Sequence, residues 1–213
     1  MSYKTRSDLH LNRKVFHFLS IFGIFLCMVL LPRPLCWALY IVVGIPAILL
    51  DFFRHRHPKV NKMVMKVLGP VLREHESRQM AGSSFTVMGV GLAYLIFPLP
   101  VSQLAVLFLA LGDPVASFFG LLVGKKKLWR GKSLEGSLAA LVFCSLAAFL
   151  FFQTMGLWVS DDPLSRIGLS TACGTTAAIA EMMPISQLDD NLTLPLVSGG
   201  LMWILFSLWG GLL

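Results

Sequence analysis

The chain has 213 residues, of which 56% are hydrophobic and only 14% charged, with a net charge of +7 and a mean hydropathy of +0.75. Soluble domains carry about 25% charged residues, so there is too little charge here to coat a water-facing globule. The same figures exclude disorder, because disordered chains are charged and poor in aromatics.

Seven stretches are apolar and near the roughly 20 residues that a bilayer core demands. In chain order they are Val15–Leu31, Leu35–Phe53, Ser84–Phe97, Val101–Gly124, Leu138–Trp158, Ser165–Met183 and Leu192–Leu213. They are continuously apolar rather than alternating, which argues for helices and against a barrel. The longest gap, from Arg54 to Ser83, is shorter than the ~40 residues below which a soluble domain becomes difficult. The expected fold is therefore all-α, a polytopic integral membrane helix bundle of about seven transmembrane helices, and residues 1–213 form a single membrane-embedded domain. No small-residue cleavage site follows the first apolar run, so no cleavable signal peptide is expected.

The gap after the second span holds an amphipathic helix. Val60, Met63, Val64, Val67, Leu68 and Val71 recur at helical spacing, and Lys59, Lys62 and Lys66 face away from them. Such a helix lies in the membrane interface with its lysines toward lipid phosphates. If the spans alternate strictly from an inside start, sixteen of the eighteen Lys and Arg fall on one side, leaving Arg33 and Arg166 on the other. That bias puts the N-terminus in the cytosol. The basic patches suit anionic lipid head groups or a polyphosphate, and nucleic acid is not an expected partner. The cysteines Cys27, Cys36, Cys144 and Cys173 are scattered through apolar segments without zinc or CxxC spacing, so reduced structural thiols are expected.

Polar residues within the apolar framework mark the expected site. On the first span His10, Arg13, Lys14 and His17 share one helical face, as snorkelling cations or as cations aimed at phosphates. The fourth span contains Gly112-Asp113-Pro114, and an intramembrane carboxylate is costly enough to be a functional candidate by default. Pro114 could break that helix and open it toward a cytosolic cavity, with Asp113 as a simple cap in the alternative. Gly112, Ala116, Gly120 and Gly124 form a small-residue ridge suited to close packing or to a nucleotide. The loop that follows carries Lys125, Lys126, Lys127, Arg130 and Lys132 with Gly131 and Gly136, a polyphosphate-neutralising composition without a Walker spacing. Glu181 and the run Asp189-Asp190-Asn191 fall on the same side, where acidic groups can hold magnesium with phosphate oxygens or cap the seventh span. His55, His57 and His75 lack metal-ligand spacing and read as solvated or lipid-phosphate contacts.

Four elements in this order resemble the membrane-embedded CTP-dependent lipid kinase family, which includes dolichol kinase, phytol kinase and CTP-dependent diacylglycerol kinase. They are Arg13-Lys14-Val15-Phe16-His17, then Asp51…Arg54, Pro58, Asn61, Arg73-Glu74 and Gly82, then Gly112-Asp113-Pro114…Gly120…Gly124 with Gly131-Lys132-Ser133-Leu134-Glu135-Gly136-Ser137, and last Glu181…Asp190-Asn191…Pro195…Gly199. The family is similar to the phosphatidate cytidylyltransferases, whose longer C-terminal signature this chain lacks.

The resemblance implies transfer of the γ-phosphoryl group of CTP to the hydroxyl of a membrane lipid alcohol, such as diacylglycerol, a polyprenol or phytol, at a cytosol-facing site. It implies Mg2+ held by Asp113 and Asp190. Lys132 and Glu135 join these two as expected catalytic residues, with Glu135, Glu181 or Asp189 to orient the hydroxyl. Arg13, Lys14, Gly120, Lys125, Ser133 and Asn191 would meet nucleotide and phosphate, while His17, Arg54, Arg73 and Glu74 would be lipid-side or structural. The alternatives are a cytidylyltransferase-like nucleotidyl transfer and a small membrane transporter. A transporter would spread polar residues toward both faces, whereas these cluster on one.

Overall fold

The computed structural model describes residues 11–209 except 70, 71, 73, 129, 130, 159, 184, 186 and 187, with the backbone alone at 11, 12, 74 and 75. Arg73, and the side chain of Glu74, therefore lie outside the described residues, as do His10 and Arg130. In chain order the helices are α1 (Leu11–Leu30), α2 (Arg33–Leu39), α3 (Ile45–Arg54), α4 (Pro58–Leu68), α5 (Gly82–Ile96), α6 (Leu99–Leu122), α7 (Leu134–Met155), α8 (Pro163–Met182) and α9 (Asp190–Trp209).

Among the described residues, five stretches are long and apolar enough to cross a membrane: Arg13–Leu30, Arg33–Arg54, Leu99–Leu122, Leu134–Met155 and Asp190–Trp209. The other two expected spans are helical but differ in kind. Helix α5 has only 15 residues. Helix α8 has the length, but it carries hydroxyls that bond back to its own carbonyls, Ser170 to Arg166, Thr175 to Thr171 and Thr176 to Cys173. Packing between α7 and α9 covers much of that polarity.

Helix α6 is the axis of the bundle and touches α1, α5, α7, α8 and α9. Every residue from Val101 to Ala110 is buried, as expected of a helix that is apolar on all sides. The break expected at Pro114 does not form, because α6 continues through it to Leu122. Neighbouring helices make such prolines tolerable in a membrane bundle. Close approach elsewhere depends on glycine. A Cβ at Gly174 would lie 2.1 Å from Ser145 Oγ on α7, and one at Gly89 would lie 2.6 Å from the Asn191 carbonyl on α9.

Arg33–Arg54 is one span interrupted by a π-helical turn at Tyr40–Gly44. Pro46 cannot donate to the Val42 carbonyl and crowds it. The preceding amide, Ile45 N–H, instead donates to Tyr40 O, five residues back. Helix α4 is amphipathic as its spacing predicts, with one difference. Val64 and Leu68 line a cleft beside Asp51 and Arg54, Leu68 remaining partly open to the surface, while Met63 and Val67 are fully on the exposed side.

Candidate functional site

The basic loop between α6 and α7 folds as a short hairpin. Lys127 pairs with Ser133 in an antiparallel bridge, Leu128 N–H donates to Lys132 O at 2.6 Å, and Leu134 N–H donates to Lys126 O at 3.0 Å. Gly131 turns the chain with φ +80°, a conformation that carries a penalty for residues with a Cβ. Ser133 then caps α7, its Oγ accepting from Gly136 N–H at 3.1 Å. Glu135 sits in the first turn, and its carboxylate accepts from Lys126 N–H at 3.2 Å.

The small-residue ridge of α6 receives this cap. A Cβ on Gly120 would lie 2.8 Å from Ser133 Oγ, and one on Gly136 would lie 2.4 Å from the Ala116 carbonyl. The face of Gly120 is thus occupied by the start of α7. Lys125, Lys126 and Lys127 are exposed or nearly so, whereas Lys132 turns inward.

Lys132 Nζ lies 3.0 Å from Asp190 Oδ2 and 3.3 Å from Glu181 Oε1, and it also donates to the Glu181 carbonyl. Burial acts to lower the pKa of this amine, but the two carboxylates outweigh it and hold the pKa above 10.5. Ser137 Oγ donates to the other Glu181 oxygen at 2.9 Å, so this buried carboxylate is fully engaged. Asp189 caps α9 by accepting from Asn191 N–H at 2.9 Å, which leaves Asp190 free to face Lys132. Capping and charge pairing are divided between adjacent residues.

Asp113 opens into a cavity of about 290 Å³ lined by Arg13, His17, Glu76, Gly82 and Asn191 among others. His17 Nε2 is 3.9 Å from Asp113 Oδ2, which is an ion-pair distance and too long for a hydrogen bond. Lys14 Nζ and His17 Nε2 are shut off from solvent without a hydrogen-bond partner. Buried polar groups nearly always have partners, so the unsatisfied Lys14 amine and the unsatisfied imidazole nitrogen of His17, which lines the cavity, make this end of α1 a candidate ligand contact.

A clamp supports the cavity floor. Arg54 is 1% exposed and donates to Asp51 Oδ1 (2.7 Å), Asn61 Oδ1 (2.5 Å) and the Glu76 carbonyl (2.6 Å). The other Asp51 oxygen accepts from Ala81 N–H and Ser84 Oγ, and Glu76 Oε1 accepts from Gly82 N–H at 2.8 Å. Asn191 Nδ2 closes the ring on the Gly82 carbonyl at 3.1 Å. Sequence reasoning had not singled out Glu76, which lies in a charged stretch without periodicity. The i,i+3 spacing of Asp51 and Arg54 at the end of an apolar run was the available signal for the clamp.

Among the described residues no three His, Cys, Asp or Glu converge on one metal position. Asp113 and Asp190 have side chains 37% and 41% exposed, so each keeps oxygen surface open to a ligand.

No family model matches the chain, and no solved structure matches it. Curated proteins do. CTP-dependent diacylglycerol kinase 1 of Schizosaccharomyces pombe is 35% identical over 172 residues, covering 76% of this chain and 77% of that protein. CTP-dependent diacylglycerol kinase 1 of Eremothecium gossypii is 29% identical over 205 residues, and the probable chloroplastic phytol kinase 3 of Glycine max is 30% identical over 209. The matches cover 87% and 90% of this chain, and 64% and 61% of those longer proteins.

Proposed function

The chain belongs to the CTP-dependent lipid kinase family, and from that premise we propose that it transfers the γ-phosphoryl group of CTP to the hydroxyl of a membrane lipid alcohol. The acceptor belongs to the class named by its relatives, diacylglycerol or an isoprenoid alcohol such as phytol. The observation that carries this reading is the cavity where Asp113 faces Arg13 and His17 while the Lys14 amine lies buried without a hydrogen-bond partner. A polyphosphate would supply an acceptor to the Lys14 amine.

Phosphoryl transfer has a loose transition state, so a protein contributes mainly position and charge neutralisation. Arg13 and Lys14 bind phosphate oxygens from α1, and Lys132 does so from the loop before α7. Asp113 and Asp190 would hold magnesium, which supplies further neutralisation at the phosphates. One or two carboxylates completed by phosphate oxygens are the usual protein share of such a site. The bond between the γ-phosphorus and its bridging oxygen breaks as the lipid oxygen bonds to phosphorus, and CDP leaves. His17 Nε2, at the cavity wall without a hydrogen-bond partner and 3.9 Å from Asp113 Oδ2, takes the hydroxyl proton. Ser133, Glu135 and Asn191 set the backbone that carries Lys132 and Asp190. The basic bias of the loops orients this end of the bundle to the cytosol.

The test is purified protein with γ-³²P-CTP and a panel of lipid alcohols. Label in lipid with release of CDP is expected. Formation of a CDP-lipid and pyrophosphate from a lipid phosphate would overturn the kinase reading in favour of nucleotidyl transfer.

A further inference from the structure

A second, larger cavity of about 460 Å³ lies between α1, the π-interrupted span and α5. Its walls are almost wholly apolar, and it shares Ser20, Ile24 and Val87 with the polar cavity of Asp113. The two cavities adjoin along these residues, the one with charged groups and the other apolar. Along α1 the apolar part runs from Ser20 to Met28, about 12 Å at 1.5 Å per residue. That is most of one leaflet of a roughly 30 Å hydrocarbon core.

The glycines around this space differ in purpose. A Cβ at Gly91 would strike the Tyr40 hydroxyl at 2.1 Å, and one at Gly44 would meet Val87 at 3.0 Å, so both are needed for packing. Gly23 also lines the cavity, but a Cβ there would meet nothing within 4 Å. Packing does not require a glycine at that position. Its effect is to keep the cavity wide. The cavity also has an open side, because its lining residues Val43, Leu39 and Cys27 are exposed on the bundle surface, Val43 at 62%. Within a membrane that surface faces lipid.

We propose that the cavity between α1, α2–α3 and α5 seats a hydrocarbon chain of the acceptor lipid, which enters sideways past Val43 and brings its hydroxyl to Asp113 at the Ser20 end, with Gly23 setting the width of the seat. The seat rests on the kinase reading of the polar cavity. Its occupant is a lipid tail, because the lining offers apolar contact, the mouth opens where lipid lies, and the inner end meets the phosphate-binding groups. Its polar groups are few, chiefly the side chains of Ser20, Tyr40 and Tyr94, set in a wall of apolar carbon. The π-turn contributes Tyr40, Val43 and Gly44 to the lining, in keeping with the frequent use of such turns at functional sites.

Gly23→Leu fills the seat from a position with room for the side chain. The expected result is a KM for a long-chain lipid alcohol raised by roughly tenfold or more, the scale of displaced methylenes in an apolar pocket. The KM for CTP and the turnover of a short-chain analogue should stay within twofold or so of the parent on the same scale. Val43→Trp, at an exposed position that does not endanger folding, should slow the long-chain substrate alone. A long-chain alcohol carrying a photoreactive group near its tail should crosslink to peptides of α1 and α2–α3, and less to those of Gly23→Leu. If wild-type protein phosphorylates lipid but neither variant changes the long-to-short preference and crosslinks map elsewhere, the seat is wrong and the kinase reading survives. If no lipid alcohol is labelled by wild-type protein and none crosslinks within the cavity, both fail.

Discussion

Lys132, from the hairpin before α7, meets Asp190, in the first turn of α9, with Nζ 3.0 Å from Oδ2. The same amine reaches Glu181 near the end of α8. A loop that composition marks as a phosphate binder is thus tied to two acidic groups that composition marks as metal binders. The opposite charges satisfy one another. A polyphosphate would compete with these carboxylates for the amine, and the freed Asp190 would become available to a cation.

Removing one partner separates the structural share of this triad from its chemical share. Lys132→Met should lower stability by about 2–3 kcal/mol, less than the 3–5 of a fully buried pair because Asp190 is partly exposed. The cause is Glu181, left buried and charged. Lys132→Met combined with Glu181→Gln should recover most of the thermal midpoint, since the amide still accepts from Ser137. Phosphoryl transfer should remain lost in both. Recovery of turnover together with stability would reduce Lys132 to a structural role.

The raised pKa of Lys132 also predicts an alkaline limit. A lysine whose folded pKa exceeds its unfolded value contributes stability that is complete below the unfolded value, here 10.5, and fades as pH rises through the folded one. The thermal midpoint of wild-type protein relative to the Lys132→Met, Glu181→Gln double variant should hold steady from neutral pH to about 10.5 and fall above it. A constant difference throughout would contradict the raised pKa.

Arg54 behaves as a keystone for the segment before α5. Its guanidinium holds Asp51, Asn61 and the Glu76 carbonyl at once. Arg54→Met leaves Asp51 without its cation, and the expected loss is about 3 kcal/mol or more. Arg54→Lys should recover little, because a single ammonium cannot reproduce the planar fork. Thermal unfolding in detergent, monitored by helical circular dichroism, reads both variants.

Orientation can be read chemically in a cysteine-free background. Lys126→Cys and Leu188→Cys should react with a membrane-impermeant maleimide from the cytosolic side only. Asp161→Cys, at the opposite end of α7 and fully exposed, should react only from outside. Labelling of Lys126→Cys and Asp161→Cys from the same side would remove α7 as a span.

The bundle was legible because lipid imposes long apolar runs, and each of the seven is helical over most of its described residues, the second through a π-turn. Its interruptions were less so. Pro46 produces a π-turn where Pro114 leaves α6 continuous, and only the surrounding packing separates these outcomes. In the site, alternation of spans was enough to bring Glu181 and Asp190 to the end where the basic loop lies. It could not show that Lys132 alone among the loop lysines turns inward, or that Ser133 covers Gly120. The Arg54 clamp depends on backbone carbonyls of residues 76 and 79, which leave no trace in side-chain identity.

In the proposed reaction, Asp113 is the residue on which the chemistry would depend most directly. It lies within a span, opens to the polar cavity and stands 3.9 Å from His17. Asp113→Asn keeps the volume and removes the charge, so insertion and thermal midpoint should hold. Its kcat should fall by about 100-fold or more, the scale of losing one preorganised electrostatic contact. Excess magnesium should not restore the rate, because an amide is a poor ligand for a hard cation. His17→Ala should differ in kind. If His17 takes the hydroxyl proton, the acidic limb of the kcat profile, where a protonated imidazole is inactive, should disappear along with most of the activity. An Asp113→Asn protein with near-normal turnover would leave that carboxylate with no part in transfer. A His17→Ala protein with an unchanged profile would move the proton to another group while leaving the Asp113 prediction standing.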